Sequence, residues 1–460
     1  MLLALRFFAI EDLVLAPFCL LILYIIIRNR AEKQKDPTVR RVYYRGFYFK
    51  IICVLAYTFI SEFIFKGGDT NLYYQGVKDL RAALNDDFSH ITTIVKTLKL
   101  SIDHPLTPYF FYDNYLDDIT YNYMITASNF FVPRLGLIPS LLFFNNYLCI
   151  NFVFGFFALG GAIRIFKFFH YYYPDYTKEI ALAAIFLPSV GFWSAGLLKD
   201  PICFGAIGYM LYAVQNIFVK KKNIKASLAW IIACGYLVFY IKPYILLTLI
   251  LAILIWLFAE TNKLIADRTL RNIFSFLTLA ISVLVAYFLL NYVSSQEAAQ
   301  QYKLDTLMDK AEYQRKVIRD LEATTKLGSN FSINTSNPVL LIPNSIAATF
   351  FRPFLWEVRS PVALFSAIES LLFLLFTLFF FFKRGVGKYF KLTFGDPRLL
   401  MCFVFAMVFA IAVGASTSNF GALSRYKIPC MPFYFMGLLL VYKRALLPYP
   451  KWFYKILKWV

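Results

Sequence analysis

Residues 226–259 read ASLAWIIACGYLVFYIKPYILLTLILAILIWLFA, an apolar run interrupted only at Lys242-Pro243. One helix crossing the hydrocarbon core takes about 20 residues, so the run is too long for a single crossing. Proline lacks an amide hydrogen and clashes with the preceding turn, which disfavours one continuous helix. The stretch therefore predicts two helices, 226–241 and 244–258, with a lysine at the break. Each half is short, so a re-entrant pair is the alternative. On either reading the chain belongs in a membrane.

The rest of the sequence reads the same way. Sixty per cent of the 460 residues are hydrophobic and 16% are charged, against roughly 25% charged in a soluble domain. Apolar segments fall at 12–27, 49–65, 139–163, 180–197, 202–218, 226–241, 244–258, 273–292, 361–382, 399–415 and 429–442. The expected fold is all-α, a polytopic transmembrane helix bundle of about 11 spans. It forms a single integral membrane domain over 1–460, with no internal repeat. The 51 Phe and 32 Tyr suit a lipid-facing chain anchored at the interfaces. The first segment is long and is followed by a basic stop, unlike a cleaved signal peptide.

The formal charge of +20 does not describe a nucleic-acid binder. Lys and Arg sit at the ends of apolar runs, where they encode topology rather than track phosphates. More than half of the 47 lie in clusters at 28–50, 164–178, 220–225, 263–271, 383–398 and 443–458. These clusters fall on alternate loops. By the positive-inside rule the N-terminus is outside, the C-terminus is cytoplasmic, and the setting is an inner (plasma) membrane. Seven cysteines without a CxxC read as reduced packing residues, and three histidines are too few for a histidine metal site. Two external loops are long, 66–138 and 293–360. In the second, apolar residues from Leu304 to Leu321 recur at helical spacing, which predicts an amphipathic helix on the membrane surface.

With this topology the unusual charges collect on the non-cytoplasmic face. Asp69 lies in KGGDTNLYYQG (66–76), and Lys199 and Asp200 in SVGFWSAGLLKDPICF (189–204). Lys242 sits at the break. Arg352, Trp356 and Glu357 lie in FFRPFLWE (350–357), and Arg425 and Lys427 in LSRYKIPCMPF (423–433). Lys199, Lys242, Arg425 and Lys427 oppose the positive-inside bias in short loops. Lys199 and Asp200 read either as a mutual interfacial pair or as part of a site. Pro201 and Asp200 also suit the start of a helix. Arg presents a fork matched to phosphate oxygens and Lys a compact point charge. Polyprenyl-phosphate and polyprenyl-diphosphate sugars place such groups at this depth. Lys199, Lys242, Arg352, Arg425 and Lys427 are thus candidate phosphate ligands.

Sugar transfer to a hydroxyl needs a carboxylate to accept the proton, or to hold a divalent cation such as Mg²⁺ or Mn²⁺ on the phosphates. Asp69 is the candidate for that role; its other reading is a plain helix start. Gly67-Gly68 permits close backbone approach. Tyr73, Tyr74, Trp356 and Glu357 are candidate sugar contacts.

These residues resemble the GT-C superfamily of multispanning glycosyltransferases and the related membrane polymerases of bacterial surface polysaccharides. The likeness rests on an acidic residue in the first large external loop (GGDTNLYY), on SRYKIPCMPF near the end of the membrane core, and on a many-span plan with a long late external loop. It implies a polyprenyl-linked saccharide as substrate, membrane lipid as surroundings, and surface-polysaccharide assembly partners. The sequence departs from the superfamily pattern in placing Asp69 after the second segment, alone, with Glu62 seven residues earlier. With that departure a polymerase-like mechanism, with Arg and Lys on the diphosphate leaving group and one carboxylate as base, fits at least as well as a metal-dependent one. The rival reading is a transporter or flippase for an anionic lipid-linked or small solute, suggested by the Pro-broken run and Gly-interrupted segments.

Overall fold

The structure, a computed structural model, describes residues 11–65, 67–111, 117–262, 267, 269–270, 273, 338–358, 361–417 and 420–460. In chain order the helices are α1 (Asp12–Ala31), α2 (Pro37–Phe63), α3 (Asp69–Asp86), α4 (His90–Lys96), α5 (Asp117–Met124), α6 (Ala127–Leu142) and α7 (Tyr147–Tyr172). Next come α8 (Thr177–Ala184), α9 (Pro188–Trp193), α10 (Lys199–Gln215), α11 (Ile224–Ile241) and α12 (Pro243–Asn262). The last group is α13 (Pro338–Phe351), α14 (Pro361–Arg384), α15 (Val386–Phe394), α16 (Pro397–Ser416), α17 (Phe420–Tyr426), α18 (Met431–Arg444) and α19 (Lys451–Trp459).

Among the described residues, eight helices are long and apolar enough to cross a membrane: α1, α2, α7, α10 with its π-helical extension to Lys220, α11, α12, α14 and α16. The opening run divides as expected, α11 ending at Ile241 and α12 starting at Pro243. Local grammar sets other boundaries. Asp36 caps α2 by accepting from the Thr38 amide (2.7 Å), and Asp396 caps α16 by accepting from Arg398 (3.0 Å). In both a proline occupies the first turn, where its missing amide is harmless.

Two expected segments come out differently. Segment 139–163 is divided, because Phe144 and Asn145 adopt left-handed backbone (φ 52° and 62°) between α6 and α7. Segment 180–197 is not one helix: α8 stops at Ala184, α9 covers Pro188–Trp193, and α10 starts at Lys199. Pro188 forces the first break by disfavouring helical backbone at Leu187. Segment 429–442 corresponds to α18, of the same length and begun two residues later. Segment 273–292 lies outside the described residues beyond Ile273, as does the amphipathic stretch 304–321. Loop 66–138 folds into α3, α4, α5 and the start of α6.

The chain divides into two compact units. The first comprises residues 1–164, 191–210 and 230–242. In it α1 packs on α2 through Tyr24, whose ring lies 6.2 Å from Tyr44 and 6.0 Å from Phe47. Helices α7 and α10 touch backbone to backbone. A Cβ on Gly161 would collide with Gly205, and one on Gly208 with the Gly161 carbonyl. Small residues at such a crossing let two apolar helices approach closely.

The second unit comprises 165–190, 211–229 and 243–460. Helix α16 forms its axis, with α12, α13 and α18 against it. Thr349 on α13 donates to the Ala410 carbonyl of α16 at 2.9 Å. Tyr434 on α18 stacks on Phe350 at 4.0 Å between ring centres.

Candidate functional site

In the first unit the site grows from the start of α10. Asp200 in its first turn is 2% exposed, and Lys242 at the α11–α12 break is 6% exposed. Their charges meet at 2.5 Å between Nζ and Oδ1. A carboxylate and an ammonium this deeply buried each need the other, because an unpaired charge loses its hydration without return. Lys199 donates to Ser128 Oγ at 3.0 Å, in the first turn of α6. The next residue, Asn129, accepts from Tyr73 (3.3 Å) and donates to the Tyr123 carbonyl (2.8 Å). The start of α6 thus gathers Lys199 and Tyr73.

The tyrosine reading changes with this geometry. Tyr73 is 0% exposed, and its hydroxyl also accepts from Tyr123 at 3.2 Å. That ring is an internal strut and presents no face to a sugar. Tyr74 is half-buried and donates to the Asn145 carbonyl at 2.6 Å, its ring 4.9 Å from Tyr147. Burial, reinforced by Tyr147, pushes its hydroxyl up to about 12. Asp69 is half-buried and is the first residue of α3. Gly67 and Gly68 before it take φ of 141° and 109°, backbone that only glycine adopts easily. Ten residues further along α3, buried Asp79 accepts from Gln75 at 2.8 Å, a carboxylate that sequence reasoning passed over.

The positive-inside rule places Lys50 in the cytoplasmic cluster 28–50. It is instead buried inside α2, donating to the Gly191 carbonyl (3.0 Å), the Ser194 carbonyl (3.3 Å) and Ser194 Oγ (2.8 Å). Asn151 on α7 accepts from the Leu197 amide at 2.8 Å. These two side chains satisfy the irregular backbone between α9 and α10. Non-helical backbone at membrane depth survives only with such partners.

The second unit assembles the other candidates. Arg352, just after α13, grips the Glu357 carboxylate with Nε (3.1 and 3.2 Å) and Nη2. Glu357 also accepts from the Phe354 amide at 2.8 Å. Lys427, in the turn between α17 and α18, donates to the Arg352 carbonyl (3.1 Å) and to Ser370 on α14 (2.9 Å). Ser370 in turn donates to that same Arg352 carbonyl at 3.0 Å. Its neighbour Glu369 is buried, accepting from the Ser189 amide (3.0 Å) and hydroxyl (2.7 Å) at the start of α9. Phe420 on α17 lies 5.1 Å from the Arg352 guanidinium, and half-buried Arg425 ends the same short helix. Trp356 is 80% exposed and stacks on Phe354 at 4.8 Å.

Glu369 escaped the sequence reading although its signal was there. A carboxylate inside a 24-residue apolar helix is costly and marks either a site or a buried network. Among the described residues no group of three His, Cys, Asp or Glu side chains is placed to hold a metal ion. The chain matches no known protein family, no characterised protein and no solved structure.

Proposed function

We propose that the protein is a membrane glycosyltransferase or polysaccharide polymerase using polyprenyl-(di)phosphate-linked sugars at the non-cytoplasmic face of the inner membrane. In this reading the N-terminus is outside and the C-terminus cytoplasmic. The observation that carries it is the joining of Arg352, Glu357, Lys427 and Ser370 from separate elements of the second unit. An ammonium tied to the backbone carbonyl of the arginine whose guanidinium grips Glu357 makes a preorganised anion site. Arg352, Arg425 and Lys427 hold the diphosphate, which exchanges with Glu357 for the guanidinium fork. Leaving-group charge then develops against fixed cations instead of water. Asp69 belongs to the first unit and remains, on the sequence reading, the candidate base. Lys242, held by Asp200, braces the start of α10, while Lys199 remains a candidate ligand. Trp356 offers an exposed ring for a sugar.

The test is the lipid-linked saccharide profile of cells lacking the protein. Accumulation of a single repeat unit identifies a polymerase, and a truncated unit a transferase. An unchanged profile overturns both. Arg352→Gln and Lys427→Met variants, inserted and folded, should fail to restore polymer.

The transporter reading draws on one observation, the broken backbone of residues 185–198, tied by side chains from α2 and α7. Purified protein that moves a lipid-linked saccharide across a vesicle bilayer but transfers no sugar would establish that reading instead.

A further inference from the structure

Two short helices of the second unit each bury one face and leave aromatic and lysine side chains partly exposed, although Trp452 also touches Phe376 (6.0 Å) and Trp459 touches Phe186 (5.3 Å). On α19 Phe453 and Leu457 are buried, as is Val460 just after it, with Phe453 packed on Phe376 and Tyr449. At about 100° per residue, Trp452, Ile456 and Trp459 form a second strip, and all three are exposed. Lys451, Lys455 and Lys458 form a third strip, also exposed. Helix α15 repeats the plan. Tyr389 and Thr393 are buried, Phe394 is exposed, and Lys388 and Lys391 point away from the buried pair.

Both helices lie at one end of the unit. Helix α15 follows the Lys383-Arg384 end of α14, a membrane-length helix, and Arg384 donates to the Leu446 carbonyl (3.3 Å) in the link leading to α19. The acids here are already engaged. Glu179 pairs with Lys443 (2.8 Å), Glu260 with Arg398 (2.8 Å), and Asp396 with Arg398 (3.2 Å) and Arg444. Asp175 is exposed, three residues before Lys178. Among the described residues, Lys383, Arg384, Lys388, Lys391, Lys451, Lys455 and Lys458 have no acidic partner within salt-bridge distance.

We infer that this cationic collar binds anionic phospholipid headgroups, with α15 and α19 lying in the membrane interface. A helix with one face on protein, one aromatic face and one lysine face is what the headgroup boundary accepts. A soluble acidic protein would satisfy the lysines but leave Trp452, Ile456 and Trp459 in water. The inference does not depend on the sugar-transfer reading.

The test uses the full chain in nanodiscs of phosphatidylcholine, alone or mixed with phosphatidylglycerol. Native mass spectrometry reads which lipid is retained, and hydrogen exchange reads the α19 amides. Each lysine near an anionic surface is worth about fivefold in binding. The K451Q/K455Q/K458Q variant should therefore lose more than about tenfold of the preference for phosphatidylglycerol. K388Q/K391Q should lose less, and both variants should keep the wild-type melting temperature in phosphatidylcholine. Equal retention of the two lipids by the wild type overturns the proposal. So does an undiminished preference in the triple variant, or equal α19 exchange in the two mixtures.

Discussion

Lys242 and Asp200 are both removed from solvent, so their energetics are those of a buried pair. Breaking such a pair on one side costs about 3–5 kcal/mol, whereas replacing both partners by apolar groups is often neutral. Asp200→Asn should lower the unfolding midpoint in detergent sharply, and Asp200→Leu with Lys242→Met should restore most of it. Lys427 lies outside the eight membrane-length helices. Burial pushes its ammonium down to about 8, with Glu369 partly opposing. The charge is present below that pH and lost above it, while an ordinary lysine stays charged to about 10.4. If Lys427 holds diphosphate, kcat/KM for sugar transfer should fall above pH 8 in the wild type. In Lys427→Arg the fall should move to higher pH, because a guanidinium keeps its charge. Sequence alone showed that both lysines oppose the topological bias. It could not show their partners, since Asp200 and Ser370 meet them only through tertiary packing.

At the scale of elements, what was legible is what is local. The α11–α12 division is written in Lys242-Pro243, and proline acts on its own backbone. The division of 180–197 depends on Lys50 and Asn151, which lie far away in sequence and accept or donate for backbone that a helix would otherwise satisfy. Hydropathy is blind to that exchange. The α6–α7 turn was missed because Phe144 in left-handed backbone has no sequence signature. Helix contacts give a cleaner test. A methyl group on Gly208 meets the Gly161 backbone, whereas one on Gly235 meets nothing within 4 Å. Gly208→Ala should destabilise by about 1–3 kcal/mol through overpacking. Gly235→Ala, in the interior of α11, should be neutral or gain up to about 1 kcal/mol. Thermal unfolding of the two variants in one detergent reads the difference.

At the scale of the molecule, the charge pattern predicts that exposed Lys222 and exposed Asp103 lie on opposite sides of the membrane. The described native cysteines are all buried, so they add little background to thiol labelling. Lys222→Cys should react with an impermeant maleimide only from the cytoplasm, and Asp103→Cys only from outside. The candidate site was half legible at this scale. Arg352, Glu357 and Lys427 do come together, as do Lys199 and Tyr73, but each set belongs to its own unit. Charges were grouped by side of the membrane, and side is a coarser coordinate than contact.

The broken stretch between α8 and α10 carries a consequence for biogenesis. Lys50 and Asn151 precede it in the chain, while Glu369 is synthesised much later. As residues 188–198 emerge from the ribosome, the groups that hold their carbonyls and amides are already in the bilayer. The Ser189 anchor must wait for α14. A nascent chain stalled before α14 should therefore form a cysteine cross-link between positions 50 and 194. The link between 189 and 369 should appear only once α14 has been inserted.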